Sequence, residues 1–168
     1  GVGRPVAARL RRPGRPAAVP AAYAGRVVAR IDLNADVGES LGPWPMGADQ
    51  ALIPHVTSVN IACGFHAGDP LTILRTVQLA LAAGVAIGAH PGYPDLVGFG
   101  RRAMALTPAE LEAAVLYQVS ALAGIVHAEG GRLTHVKPHG ALYHHLAADV
   151  PAAAAFVRAV ARLDSGLH

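Results

Sequence analysis

Four short apolar runs, each ending in polar residues and separated by helical patterns, most constrain what this chain can fold into. The polar residues at or just after their ends are Asn34, Asp36, His66, His90, Lys137 and His139. The connections are long enough for parallel crossovers, and a parallel sheet brings the carboxyl ends of its strands to one rim. We therefore predict an α/β fold with a parallel sheet. Four strands are too few to close a (β/α) barrel, so we expect either a small open sheet or part of a larger barrel.

The first run shows how polar residues enter the predicted sheet. Residues 30–36 alternate strictly between apolar and polar side chains, which predicts a strand with Asp32, Asn34 and Asp36 on one face. Polar groups on a buried face are costly unless they are paired. This face is therefore typical of a strand that lines a polar cavity.

Capping signals predict where the helices begin and end. Asp69 before Pro70 indicates an N-cap followed by proline at the first helical position, and Gly84 indicates the end of that helix. Thr107 and Glu110 have the spacing of a capping box at the start of a second helix. A last helix is predicted over residues 152–163, with an apolar stripe at Phe156, Val157, Val160 and Leu163.

Charge is distributed unevenly along the chain. Residues 1–30 contain seven arginines and no acid, whereas residues 31–168 contain seven basic and eleven acidic groups. The sequence pI of about 9.5 therefore reflects the N-terminal stretch and gives no ground for nucleic-acid binding.

The single cysteine, Cys63, excludes an intramolecular disulfide and fits a reducing compartment. With no uninterrupted apolar run of about 18 residues and no signal-peptide pattern, we expect a cytoplasmic protein without a membrane span.

The N-terminal stretch differs in composition from the rest of the chain. Residues 1–29 are rich in Arg, Ala, Pro and Gly, with four prolines and no hydrophobic periodicity, so we predict a disordered tail before a domain at 30–168. A transit peptide would also be rich in arginine, but this stretch has no serine and no amphipathic pattern. We interpret it as a tail without function, translated upstream of a start near Val27 or Val28.

Four long motifs, in order, carry a resemblance to a known family. They are IDLNADVGES at 31–40, NIACGFHAGD at 60–69, GVAIGAHPGYPD at 84–95 and HVKPHGALY at 135–143. They resemble the LamB/YcsF family, to which the A subunits of bacterial 5-oxoprolinases belong. The resemblance covers residues 30–163.

This resemblance implies both a fold and a reaction. The implied fold is an incomplete (β/α) barrel of the glycoside hydrolase/deacetylase type, of which this chain would supply about four βα units. The implied reaction is the opening of 5-oxo-L-proline to L-glutamate with ATP and Mg²⁺, carried out together with B and C subunits. Family members are longer than this chain, so the resemblance also implies that the chain is truncated at its C-terminus and lacks further rim residues.

Activation of a lactam by ATP requires cations near phosphoryl oxygens, a base for water and an acid for the departing nitrogen. Lys137, the only lysine, lies between two histidines on the polar face of the fourth strand, and we assign it phosphoryl or carboxylate binding. His139 and His90, at strand ends, are acid/base candidates, although either could be a core histidine bonded to a carbonyl. Asp36 and Glu39 could act as base or hold Mg²⁺, or could cap a loop.

The remaining candidates lie in turns and loops. His66 lies between two glycines, where the turn itself does not require an imidazole, so we place it in the site. Asn34 and Asp69 are assigned to substrate binding, although capping alone would account for Asp69. Arg101, in the GFGRR segment, could bind an anion together with backbone N–H groups, or could belong to a lid loop.

A metal site is a further hypothesis, since the histidines and acids could bind a divalent cation as in the deacetylase barrels. The sequence has no HxxxH or CxxC spacing to support it, so no metal ligands are assigned. Two other functions stay open beside that of a 5-oxoprolinase component. One is a metal-dependent hydrolase or deacetylase that acts without ATP, and the other is an inactive remnant. A remnant would expose an unpaired strand edge and aggregate.

Overall fold

The computed structural model of the 168-residue chain describes residues 30–168. Within them, residues 32–168 form one compact unit. The predicted disordered tail at 1–29 lies outside the described residues, so its prediction stays untested.

A four-stranded sheet lies at the centre of this unit, in the order β1-β2-β3-β4. Its strands are β1 (Asn34–Val37), β2 (Ser58–Ala62), β3 (Ala86–His90) and β4 (Leu133–Val136). Every neighbouring pair is parallel, as the sequence order predicts. The carboxyl ends of all four strands therefore lie along one edge, which we call the carboxyl rim. The predicted α/β fold is confirmed, as part of a parallel barrel.

Helices connect the strands and cover the sheet. They are α1 (Asp49–Leu52), which continues into a 3₁₀ turn at Ile53–His55, α2 (Pro70–Ala83), α3 (Pro108–Ala128), α4 (Gly140–Ala148) and α5 (Val150–Leu163). The predicted capping signals are present: Asp69 accepts from the backbone of Leu71 and Thr72, and Gly84 ends α2 in the left-handed conformation. Thr107 and Glu110 form both bonds of the capping box at α3.

The core lies between the sheet and the buried faces of α2 and α3. From α3 it receives Leu111, Val115, Val119, Leu122 and Val126. This helix is long and apolar enough to cross a membrane by length and composition alone. Because one of its faces is buried in the core, we interpret it as a core helix.

The first strand is shorter than predicted. It begins at Asn34 rather than Arg30, and the Ile31 and Leu33 side chains are exposed. The partner strand β2 begins at Ser58, opposite Asn34. Leu33 still accepts backbone hydrogen bonds from Thr57 and Ser58, but the regular pairing starts only at Asn34. Periodicity in one segment cannot show where the neighbouring strand starts.

The predicted apolar stripe of the last helix is wrong in part. The buried residues of α5 are Ala152, Ala155 and Ala159, whereas Val157 is 62% exposed. Small side chains allow α5 to approach α3 closely, so volume rather than hydrophobicity selects the buried face. α4 is a further helix, for which the sequence analysis identified no signal.

On its outer edge, β4 forms backbone hydrogen bonds with His168 in the pattern of a neighbouring strand. His168 donates its N–H to the carbonyl of Thr134, and the N–H of Val136 donates to the carbonyl of His168. In a parallel ladder, one residue bonds to two residues of the neighbouring strand that lie two positions apart. The sheet can therefore add a parallel strand at this edge.

The N-cap of α2 supports a first prediction. Asp69 also accepts the Gly42 N–H and the Thr72 hydroxyl, so it joins the loop after β1 to the start of α2. We expect Asp69→Ala to lower the free energy of unfolding by about 1–2 kcal/mol, the usual cost of losing an N-cap. Urea denaturation would measure it, with Asp164→Ala, at the exposed C-terminal end of α5, as the control. An unchanged midpoint in Asp69→Ala would contradict the capping role.

Candidate functional site

The carboxyl rim brings together all six residues that the sequence assigned to catalysis. They are Asp36, Glu39, His66, His90, Lys137 and His139, and they come from the ends of all four strands or the turns that follow. Parallel pairing explains their meeting, since every strand enters the rim in the same direction.

An ion pair between Asp36 and Lys137 joins β1 to the segment after β4. The Lys137 Nζ lies 2.6 Å from Oδ1 and 2.9 Å from Oδ2 of Asp36. Asn60 Nδ2 also donates to Oδ1 at 2.7 Å, and His90 Nε2 lies 3.3 Å from Oδ2. Burial alone would raise the pKa of Asp36, but His90, Lys137 and Asn60 outweigh it and hold the pKa well below its usual range. Asp36 is therefore an anion whose oxygens are already engaged.

Backbone carbonyls fix the orientation of two buried histidines. His90 Nδ1 lies 2.6 Å from the carbonyl oxygen of Lys137, and His139 Nε2 lies 2.8 Å from that of Phe99. Because a carbonyl oxygen only accepts, each of these nitrogens carries the proton. The other nitrogens, His90 Nε2 and His139 Nδ1, face each other at 3.1 Å inside the site.

His66 completes the group but has no hydrogen bond. Its side chain is fully buried, and neither ring nitrogen has a partner among the described residues. Its ring stacks on His139 with centroids 3.8 Å apart, and Nε2 lies 3.5 Å from Oε1 of Glu39. A buried polar side chain without a partner is costly, so this arrangement requires an explanation.

Burial also sets the charge of these imidazoles. It lowers the pKa of His139 to about 4, with the neighbouring His66 acting in the same direction. Burial likewise lowers the pKa of His66, although Glu39 opposes the shift. Both rings are therefore neutral at pH 7 and offer lone pairs.

Four of the rim residues could hold a metal ion. Glu39, His66, His90 and His139 each offer one ligand atom, and the four atoms lie within 4.8 Å of one another. We call these residues the histidine cluster. The sequence assigned no metal ligands because its members come from four different βα units, so their spacing carries no motif.

The segment from Pro91 to Arg102 closes over the histidine cluster. A Cβ on Gly92 would lie 2.7 Å from His66 Nδ1, and one on Gly100 would lie 2.7 Å from His66 Cβ. Glycine at these positions lets the backbone approach the imidazole. Asp95 and Arg102 form an ion pair within the same segment, which orders it.

Sequence reasoning missed the polar ladder that supports the rim, formed by Asn34, Asn60 and His135. Asn60 is fully buried and exchanges side-chain hydrogen bonds with Asn34, while its Oδ1 lies 2.7 Å from His135 Nε2. A buried asparagine in an apolar run was the available signal. Asn34, which the sequence assigned to substrate binding, also donates to Ser58, so its contacts here are with the ladder.

The two other predicted substrate ligands lie in different settings. Asp69 caps α2, and its contacts are those of the cap. The backbone N–H groups of Gly98, Gly100 and Arg101 are bonded within the loop, so they offer no anion nest. The side chain of Arg101 lies with its guanidinium 5.4 Å from the Phe99 ring and borders a cavity.

This cavity lies beside the rim on the side of β4 and α4. Its volume is about 1190 Å³. The rim residues in its wall are Asp36, His90, Lys137 and His139, and the other lining residues include Arg101, Tyr93, Tyr143 and His145. A space with cations and imidazoles at one wall can hold a small carboxylate or phosphate compound.

The fold and the rim define a (β/α)-type protein with a histidine–carboxylate site at the carboxyl ends of its strands. Residues 31–168 match the LamB/YcsF family. The chain belongs to this family, as the four sequence motifs indicated.

Curated relatives and a crystal structure agree with this assignment. The chain is 64% identical over 138 residues to the 5-oxoprolinase A subunit of Azoarcus sp., covering 82% of this chain and 54% of the relative. It is 62% identical to the protein of the same name from Geobacillus kaustophilus, covering 80% and 52%. The crystal structure of a lactam utilization protein from Thermus thermophilus superposes with a TM-score of 0.81 and 56% identity, covering 83% of this chain and 56% of that one. The chain thus spans about half the length of the relatives it matches.

Proposed function

We propose that this chain is the part of a 5-oxoprolinase A subunit that carries the histidine–carboxylate rim, and that the complete enzyme opens 5-oxo-L-proline to L-glutamate. The observation that carries the proposal is the convergence of the six rim residues in a chain whose relatives are named as A subunits of 5-oxoprolinase. The word subunit in those names supports a multi-subunit enzyme, and we propose B and C subunits as the partners.

The rim residues supply the groups that lactam opening requires. Lys137, 42% exposed at its side chain, is the cation that the substrate carboxylate or a phosphoryl oxygen can reach. Glu39 and the free nitrogens of His90 and His139 are the base and acid candidates, because their proton-accepting atoms face one another inside the rim. The Pro91–Arg102 segment excludes water from the imidazoles.

ATP enters the proposal as a co-substrate. Phosphorylation of the lactam carbonyl oxygen would turn a stable amide into a group that water attacks readily. Lys137 and Arg101 at the cavity wall are the cations of the described residues that suit its phosphates. Asp36 suits Mg²⁺ less well than the sequence suggested, because Lys137 and Asn60 occupy its oxygens. We therefore propose Glu39 as the carboxylate that holds Mg²⁺.

A second candidate function is hydrolysis of an amide without ATP. The histidine cluster favours it, since neutral imidazoles and a carboxylate are the ligands of hydrolytic metal sites. The two functions differ in a simple way, because only the first requires ATP.

The decisive experiment measures glutamate released from 5-oxoproline, with and without ATP, in the presence of purified B and C subunits. It compares the 168-residue chain with a chimera that continues, after residue 168, into the remaining C-terminal part of the Azoarcus relative. We expect ATP-dependent release from the chimera, because His168 already forms the hydrogen bonds of a further parallel strand at the outer edge of β4, where the added segment would continue the sheet.

The outcomes separate the candidate functions. Glutamate release that requires ATP and all three subunits supports the 5-oxoprolinase assignment. Release by the chimera without ATP favours the second candidate. A folded chimera that releases no glutamate under either condition overturns the first proposal.

A further inference from the structure

The histidine cluster presents several proton acceptors to one another without a donor between them. The tautomers of His90 and His139 follow from their carbonyl partners, so the lone pairs of His90 Nε2 and His139 Nδ1 point at each other across 3.1 Å. Oε1 of Glu39, a further acceptor, lies 3.9 Å from His139 Nδ1. Acceptors converge in this way when a cation lies between them.

A proton shared within the cluster would not explain why the buried His66 side chain has no hydrogen bond. An added proton on His90 Nε2 could be shared with His139 or Asp36, since both lie close to it. It would leave His66 without a hydrogen bond among the described residues, although its side chain is fully buried and its Nε2 faces Glu39. A cation at the centre of the cluster would give His66 Nε2 a partner together with His90 Nε2, His139 Nδ1 and Glu39 Oε1.

The distances fit a first-row divalent cation. Metal–ligand bonds of about 2.0–2.1 Å in a tetrahedron place neighbouring ligand atoms about 3.3–3.5 Å apart. In the cluster three of these separations are 3.1, 3.5 and 3.9 Å, and none exceeds 4.8 Å. These three separations differ from the tetrahedral value only by tenths of an ångström.

The chemistry of the donors selects the class of metal. Three imidazole nitrogens and one carboxylate oxygen are typical ligands of zinc and its first-row neighbours, whereas Mg²⁺ prefers oxygen ligands and retains water. The carbonyl bonds to His90 and His139 are the outer contacts that hold metal-binding imidazoles in one tautomer.

We infer that Glu39, His66, His90 and His139 form a binding site for one zinc-like divalent cation at the carboxyl rim. The inference changes the proposed function in one respect, because with a cation bound Glu39, His90 and His139 are its ligands rather than the free base and acid. It does not depend on that function. Because all four tetrahedral positions would be taken by protein ligands, such a cation would polarise the substrate only by accepting it as a fifth ligand.

The test is metal binding by the full chain, after removal of any histidine tag and treatment with a chelator. Zn²⁺ is titrated in competition with a chromophoric chelator, and Co²⁺ replaces it to report coordination by visible absorption. We expect one Zn²⁺ per chain and a Co²⁺ spectrum typical of tetrahedral nitrogen and oxygen ligands. His66→Ala should weaken Zn²⁺ binding at least about 100-fold, and Glu39→Gln about 10–100-fold.

His127→Ala is the matched control, since His127 is exposed near the C-terminus of α3, before β4 begins. It should bind Zn²⁺ like the original chain. A second measurement avoids dependence on the folding of variants: Zn²⁺ should raise the Tm of the original chain, because it binds only the folded state.

Absence of Zn²⁺ binding by the folded chain would overturn the inference, as would equal affinity in folded His66→Ala. Because binding is measured without substrate, ATP or partner subunits, its failure is distinguishable from failure of the proposed function. Zinc bound to a chain whose chimera opens no lactam would leave the site established and the reaction wrong.

Discussion

Lys137→Ala is expected to lower kcat/KM for 5-oxoproline by about 10²–10³-fold in the assembled enzyme, the usual cost of removing one preorganised group that stabilises charge. Two effects act together. The site loses the cation that faces the cavity, and Asp36 loses the partner that holds its carboxylate. The measurement is the steady-state rate of glutamate release by the chimera with its partner subunits.

The separation of kcat from KM reports what Lys137 binds. A rise in KM with unchanged kcat indicates uniform binding of the substrate carboxylate, whereas a fall in kcat indicates a contact made in the transition state. Lys137→Arg keeps the charge and should recover part of the activity. Arg158→Ala is the control, because Arg158 pairs with Glu112 on the helical side of the fold. Full activity in Lys137→Ala would contradict the assigned role.

The alternation of apolar runs and helical patterns was sufficient to predict the parallel sheet and the rim. Each polar strand end could be placed there without knowing its neighbours, because parallel strands share a direction. This is why Asp36, His90 and His139 were predicted correctly to lie together. The helix caps at Asp69 and Thr107 were equally predictable, since their signals are local.

Features that depend on the approach of distant elements could not be predicted in this way. The histidine cluster joins four βα units, so no fixed spacing reveals that its ligand atoms converge. The alanine stripe of α5 depends on how closely α3 approaches. The hydrogen bond between Asn60 and His135 requires the His135 side chain to cross β3, and a single glycine in β3 makes room for it.

Gly88 in β3 is that glycine, and it leads to the largest expected effect on stability. A Cβ added there would lie closer than 3.0 Å to the His135 imidazole, which crosses β3 to reach Asn60 on β2. Gly88→Ala must therefore displace His135 and break its hydrogen bond to a fully buried amide. Overpacking costs about 1–3 kcal/mol, and an unsatisfied buried polar group costs a similar amount. We expect the free energy of unfolding to fall by about 3 kcal/mol, measured by urea denaturation.

The control for this prediction is Gly124→Ala within α3, where an added Cβ would have nothing within 4 Å. Alanine should stabilise this helix by up to about 1 kcal/mol. A double-mutant cycle with His135→Ala then tests the cause. Removing the imidazole relieves the overlap, so Gly88→Ala should cost much less in that background. An equal loss of unfolding free energy in both backgrounds would show that His135 is not the reason for glycine at position 88. The proposed support of the rim by His135 across β3 would then be wrong.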